Sequence, residues 1–176
     1  VISNDATAEI VAVCDINAEI LPQLEQDYDV KTFTSYERML EETDCDIVCI
    51  CTPHGLHASM SEKAAEKGRH VLVEKPMALD SASAKAMIAT AEKNKVNLYV
   101  VKQNRYNKPI LLVKELLEKN ALGKIFMVQT NVLWNRHQRY YEESSWRGKK
   151  ETEGGALHTQ VSHFLDLLIW WFGDIV

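Results

Sequence analysis

Short apolar runs alternate with amphipathic stretches through the first hundred residues. Residues 8–14 (AEIVAVC), 31–33, 46–51 (DIVCIC), 70–73 and 97–101 are brief and rich in Val, Ile and other apolar side chains. Runs of this length suit strands buried on both faces. Between them, residues 17–26, 35–42, 56–67 and 81–94 read as helices, with Asn17 and Ser35 as N-caps and Gly68 as a stop. The alternation predicts an α/β fold, a parallel doubly wound sheet with helices on both faces. Right-handed crossovers then bring Asp15, Thr52, Lys75 and Lys102-Gln103 to one sheet edge. Ligands bind at that edge of open α/β sheets.

After Tyr106 the pattern changes. Residues 109–120 predict a helix with Leu111, Leu112, Leu116 and Leu117 on its core side. Residues 124–133 alternate as a longer strand, 135–153 are irregular and crowded with Arg and aromatic rings, and 156–172 predict a strongly apolar helix. This is the texture of an α+β domain opening with a mixed sheet. The expected division is a dinucleotide-type unit over 1–102 and the beginning of a substrate and oligomerisation domain over 103–176.

Composition narrows the classes. The chain has 176 residues, 46% apolar and 26% charged, with a net charge of −5. That balance suits a globular domain and argues against nucleic acid as the partner. Neither a run of about 18 apolar residues nor a signal-like start is present, so no membrane partner is expected. Cys14, Cys45, Cys49 and Cys51 lack C-x-x-C spacing. They read as small buried hydrophobes in a reducing cytoplasm, and no metal is expected. A glycine-rich phosphate loop should lie roughly 20 residues before an acidic residue such as Asp15. The chain does not reach that far back, and it is expected to be a fragment.

Several clusters carry candidate chemistry. Asp15 at a strand tip suits the ribose hydroxyls of NAD rather than NADP, or simply caps a helix. Thr52-Pro53, followed by His57, lines a nicotinamide-ribose pocket or forms a plain turn with a surface histidine. Lys75 sits between an apolar strand and Pro76, which bars it from a helix interior. An ammonium there can hold and polarise a substrate hydroxyl. In the last helix, about 100° per residue puts Thr159, His163 and Asp166 on one stripe. Asp166 can orient His163 as a base, or the two form a structural pair. Gly154-Gly155 before that helix leave room for substrate against the backbone. Trp134-Asn135-Arg136 through Tyr141, then Trp146-Arg147-Gly148, mix rings and guanidinium groups in a way that suits an anionic sugar, or form a solvated loop or subunit contact.

In combination, strand-Asp15, Thr52-Pro53-x-x-x-His57, Glu74-Lys75-Pro76 and Gly154-Gly155 followed by His163 and Asp166 resemble the glucose–fructose oxidoreductase / inositol dehydrogenase (Gfo/Idh/MocA) family. Lys102-Gln103-Asn104-Arg105-Tyr106, residues 131–141, Trp146-Arg147-Gly148 and Gln160-x-Ser162-His163 look most like its bacterial branch that oxidises the 3-hydroxyl of UDP-N-acetylglucosaminuronate for surface polysaccharide. The resemblance implies a Rossmann domain and NAD as cofactor, bound through Asp15, Thr52, His57, Glu74 and Gln103. It implies Lys75 and His163 as catalytic residues, with Arg105, Arg136, Trp146, Arg147, Thr159 and Gln160 towards the sugar or nucleotide-sugar substrate. Many members carry an Asp where this chain has Thr159, which disfavours a charged Lys–Asp–His triad. A cytoplasmic homo-oligomer is expected. The alternatives are a dehydrogenase of a free sugar or inositol, a biliverdin-like reductase, and a non-catalytic dinucleotide-binding regulator of the same fold.

Overall fold

Every strand pair among the described residues is parallel, as the strand–helix alternation requires. A computed structural model describes residues 6–143 and 145–174. The strands are β1 (Ala12–Cys14), β2 (Lys31–Phe33), β3 (Ile47–Ile50), β4 (His70–Val73) and β5 (Leu98–Val100). Helices α1 (Leu21–Tyr28), α2 (Tyr36–Glu42), α3 (His57–Glu66) and α4 (Ser81–Lys93) connect them. β1 pairs with β2, Val13 opposite Thr32. β3, β4 and β5 pair in that order, with Val48 opposite Val71 and Leu72 opposite Tyr99. No ladder joins β1 to β3 among the described residues. One core nevertheless spans both groups: Phe33, Met39 and Leu40 pack with Val48, Ile50, Val71, Val73 and Met87.

Local chemistry sets the helix starts. The Ser35 hydroxyl accepts from Arg38 N at 3.3 Å, and Asp80 accepts from Ser83 N at 2.8 Å. Each satisfies an otherwise orphaned N–H of the first turn. Gly68 follows α3 at φ 74°, the left-handed conformation that glycine adopts without penalty.

Four expectations need correction. The first helix starts at Leu21, not at an Asn17 cap: Asp15 accepts from Asn17 N, and Asn17 accepts from Glu19 N, so both side chains serve the connecting turn. The first strand is confined to Ala12–Cys14. Residues 124–133 join no ladder among the described residues and lie mostly exposed, because an alternating segment becomes a strand only when another strand takes its N–H and C=O groups. The cysteines are all free thiols, but Cys49 and Cys51 are exposed rather than buried. β3 alternates in burial, with Val48 and Ile50 inside and Ile47 and Cys49 outside.

The chain continues through a 3₁₀ turn (Gln103–Tyr106) into α5 (Lys108–Glu118), α6 (Gln138–Glu142) and α7 (Lys150–Glu153). The expected helix over 156–172 divides into a π turn, Leu157–Val161, and α8 (Ser162–Phe172). Lys114 of α5 donates to the Trp170 carbonyl at 3.1 Å and lies over its ring, holding α5 against α8. No helix among the described residues is long and apolar enough to cross a membrane.

Ile50 is 1% exposed in the middle of the core. Ile50→Ala is expected to lower the unfolding free energy by about 2–5 kcal/mol, measured by urea denaturation. A loss below about 0.5 kcal/mol would show that the core is not closed around it.

Candidate active site

The parallel sheet ends in a row of tips, and β4 contributes Glu74-Lys75-Pro76. Glu74 N donates the last ladder-like bond to Ile50 O at 2.9 Å. The Glu74 carboxylate accepts from Lys75 N at 3.2 Å, leaving the lysine side chain to run outward. Its ammonium donates to the carbonyl of Thr159 at 2.9 Å. One hydrogen bond therefore links the β4 tip to the π turn before α8. Thr159 differs from its expected role as a substrate contact. It is buried, and its hydroxyl donates back to Gly155 O at 3.1 Å, as polar residues in a helix often do. Its carbonyl is the part that meets Lys75.

His163 stands at the start of α8, 7% exposed, and its ring has no hydrogen-bond partner among the described residues. Burial first, then the cations of Lys75 and Lys102, push its pKa below the ordinary histidine value, against Asp166 and Glu74. Burial also lowers the pKa of Lys75, aided by Lys102 and Arg136 and opposed by Glu74 and Glu153. Each shift weakens the charged form. At neutral pH the imidazole is consequently neutral and able to accept a proton.

Asp166 does not orient His163. Its two carboxylate oxygens accept from Arg105 at 2.7 and 2.8 Å, and Lys102 lies 3.7 Å away. Arg105 also lies over the Trp170 ring at 5.3 Å. The bidentate pair fixes α8 to the turn after β5 and so sets the height of His163 over the strand tips. Arg105, expected as an anion contact, already has its anion within the chain. Reading the helix at a constant 100° per residue also missed the π turn, which is one residue wider than an α turn and alters the phase between Thr159 and His163.

His57 is likewise corrected. It is the first residue of α3 and completely buried. Its Nδ1 lies 2.7 Å from Pro76 O and its Nε2 2.8 Å from Thr52 O, so neither ring nitrogen faces a cofactor. Thr52 points its hydroxyl at Met60 Sδ, 3.5 Å away. Asp15 and Glu74 stand partly buried at their tips, and Gln103 is exposed in the 3₁₀ turn.

The Arg and aromatic segment forms a stack. Arg136 lies over the rings of Trp134 and Tyr140, at 5.1 and 5.2 Å, and donates to Gln160 Oε1 at 2.8 Å. Gln160 in turn donates to the Tyr140 hydroxyl at 3.3 Å. Arg147 lies over Tyr140 at 4.5 Å and Trp146 at 5.7 Å. Neither guanidinium has a carboxylate partner among the described residues. Trp146 meets His54 edge-on at 4.8 Å.

Glu153 was not foreseen. It is 4% exposed, its carboxylate accepts from Gly148 N at 2.6 Å, and its carbonyl accepts from His54 Nδ1–H at 3.0 Å. It ties the Trp146–Gly148 loop to the β3 tip. Nothing in its sequence neighbourhood distinguishes it from the surface glutamates around it. Gly154 has φ 83°, and a Cβ there would lie 2.7 Å from Leu79 Cδ2. That glycine makes room for Leu79, whereas Gly155 has the open space expected for both.

Comparison with known proteins gives two family matches. Residues 1–102 match an oxidoreductase family described by its NAD-binding Rossmann fold, and residues 114–176 match the C-terminal alpha/beta domain of that oxidoreductase family. The WlbA dehydrogenase of Bordetella pertussis, solved with NADH and UDP-GlcNAcA, is 41% identical with a TM-score of 0.93, over 98% of this chain and 50% of that one. The WlbA enzyme of Chromobacterium violaceum, in complex with the same two molecules, is 42% identical with a TM-score of 0.91, over 95% and 48%. Levoglucosan dehydrogenase of Pseudarthrobacter phenanthrenivorans is 28% identical over 165 residues, 92% of this chain and 42% of that protein. The chain thus spans half or less of the length of these relatives.

The electrostatics of the site are open to direct measurement. Lys75 is among the cations that lower the pKa of His163. Lys75→Met should therefore raise the His163 titration midpoint, followed by imidazole NMR. An unchanged midpoint would separate the two groups.

Proposed function

The chain belongs to this oxidoreductase family, and on that premise we propose that it carries the reaction centre of an NAD-dependent dehydrogenase oxidising a secondary hydroxyl of a sugar. The observation that carries the reading is the meeting of the Lys75 ammonium with the π turn before α8, where His163 presents a neutral ring with no hydrogen-bond partner among the described residues. A lysine from one unit and a base from the other are what such an oxidation requires.

The residues present suit NAD. Asp15 uses one carboxylate oxygen on Asn17 N, which leaves the second for a ribose diol. Thr52, Glu74 and Gln103 stand at the neighbouring tips. NAD, when bound, supplies the hydride acceptor. The chain's own residues do the rest. The His163 ring accepts the proton of the substrate hydroxyl. The Lys75 ammonium donates a hydrogen bond to the same oxygen and stabilises the negative charge growing there. Its lowered pKa makes it a better proton partner than a surface lysine.

For the substrate, the proposal is the 3-hydroxyl of a UDP-N-acetyl-hexosaminuronate, in surface polysaccharide biosynthesis. Arg136 and Arg147, on the Tyr140 ring and without carboxylate partners among the described residues, suit a diphosphate or uronate. Trp146 and Gln160 hold that stack in place. The likeness to the two WlbA enzymes solved with UDP-GlcNAcA supports the same class. The proposed division assigns NAD to residues 1–102 and substrate to 103–176. Free thiols in place of disulfides favour the cytoplasm. The exposed apolar side chains of Phe126 and Met127, in a segment without a strand partner, favour a homo-oligomer.

NADH formation from UDP-N-acetylglucosaminuronate by the intact protein tests the reading; no NADH from any UDP-sugar or uronate would end it. Turnover should follow a bell-shaped pH profile. It falls on the acid side as His163 takes up a proton, with a midpoint below the ordinary histidine value, and on the alkaline side as Lys75 loses its charge, below the ordinary lysine value. Arg136→Met and Arg147→Met should each raise KM for the UDP-uronate about tenfold, near 1.4 kcal/mol. A neutral sugar turned over by the same protein should show no such change.

A further inference from the structure

Past the last ladder bond, no backbone hydrogen bond among the described residues holds the β3 and β4 tips together. Glu74 N to Ile50 O is the end of that pairing. Among the described residues no backbone hydrogen bond joins 51–53 to 75–77. These two unpaired tips carry Thr52 and Lys75. Among the described residues the ring of His57 makes the connection between them.

We infer that His57 is a positioning residue, which sets Lys75 in place by bridging the Thr52 and Pro76 carbonyls. It is 0% exposed, in a fold whose other buried imidazoles, His54 and His163, keep some exposure. Its two contacts, at 2.7 and 2.8 Å, go to backbone oxygens on different crossovers. Carbonyl oxygens only accept, so a ring carrying both N–H groups makes both bonds and a ring carrying one makes one. The bridge therefore takes an N–H on each ring nitrogen, and among the described residues no backbone N–H serves either oxygen. Pro76 directly follows Lys75, so the bond to its carbonyl anchors the backbone from which the ammonium reaches Thr159. His54, 5.5 Å from His57 between ring centroids, extends the brace to Glu153. The role rests on the assignment of Lys75 above. It makes His57 important without contact to substrate or cofactor.

A displacement of about 1 Å at a reacting group can cost on the order of a hundredfold in rate. His57→Phe keeps the ring and removes both donors. It is expected to reduce kcat at least tenfold, with KM for NAD changed far less. A readout independent of turnover is the pH profile of Lys75 reductive methylation, followed by mass spectrometry. Burial of the amine predicts a midpoint below that of an ordinary lysine in the wild type, and it should rise in His57→Phe as the amine leaves its buried position. His57→Gln, which keeps a donor, should recover part of both effects. A folded His57→Phe with wild-type kcat and wild-type Lys75 labelling overturns the inference. If neither variant folds, hydrogen exchange at the His57 ring of the wild type decides: a ring N–H protected from solvent supports the bridge, and one exchanging like a surface histidine overturns it. Labelling and exchange need no substrate. A shifted Lys75 profile in a protein that oxidises no sugar would remove the dehydrogenase reading and leave the positioning role standing.

Discussion

The rest of the site depends on a partly buried ammonium meeting a carbonyl 84 residues further along the chain. Taking a lysine out of water is unfavourable unless its hydrogen bonds are replaced. The Thr159 carbonyl replaces one of them. That contact holds the β4 tip and the π turn at a set separation. Burial does most to lower the pKa of His163, and the positive charge this contact brings nearby adds to it. The same contact thus sets geometry and contributes to the protonation state.

The remaining anchors each hold one side of it. Asp166 and Arg105 fix α8 to the turn after β5, with Lys102 beside them. This pair is partly buried and bidentate, the arrangement in which an ion pair specifies position most strongly. His57 steadies the tip that carries Lys75, and Glu153 with His54 fixes the loop bearing Trp146 and Arg147. Lys102 has two effects. It sits beside Asp166, and its charge lowers the pKa of both Lys75 and His163.

The guanidinium stack differs in kind. Arg105 has a carboxylate within the chain; Arg136 and Arg147 have aromatic faces and a carboxamide. A cation on an aromatic ring is held in direction but keeps its charge available. That contrast separates an arginine that builds the fold from arginines that remain free to meet an anion.

The strand–helix alternation, the tips bearing Asp15, Thr52 and Lys75, and the α2 start at Ser35 were all legible from residue order, because buried strands, caps and proline act over a few neighbours. Lys75 and His163 could be singled out as candidates by their settings, one before a proline and the other in an apolar helix. What residue order could not decide was the partner of each polar group. Asp166 chose Arg105 over His163, His57 chose two backbone carbonyls over a cofactor, and Glu153 was buried among look-alike surface residues. The helix over 156–172 acquired a π turn, and residues 124–133 acquired no ladder. Periodicity describes how a segment faces its surroundings. Pairing depends on distances between segments far apart in the chain, which exist only once the chain has folded.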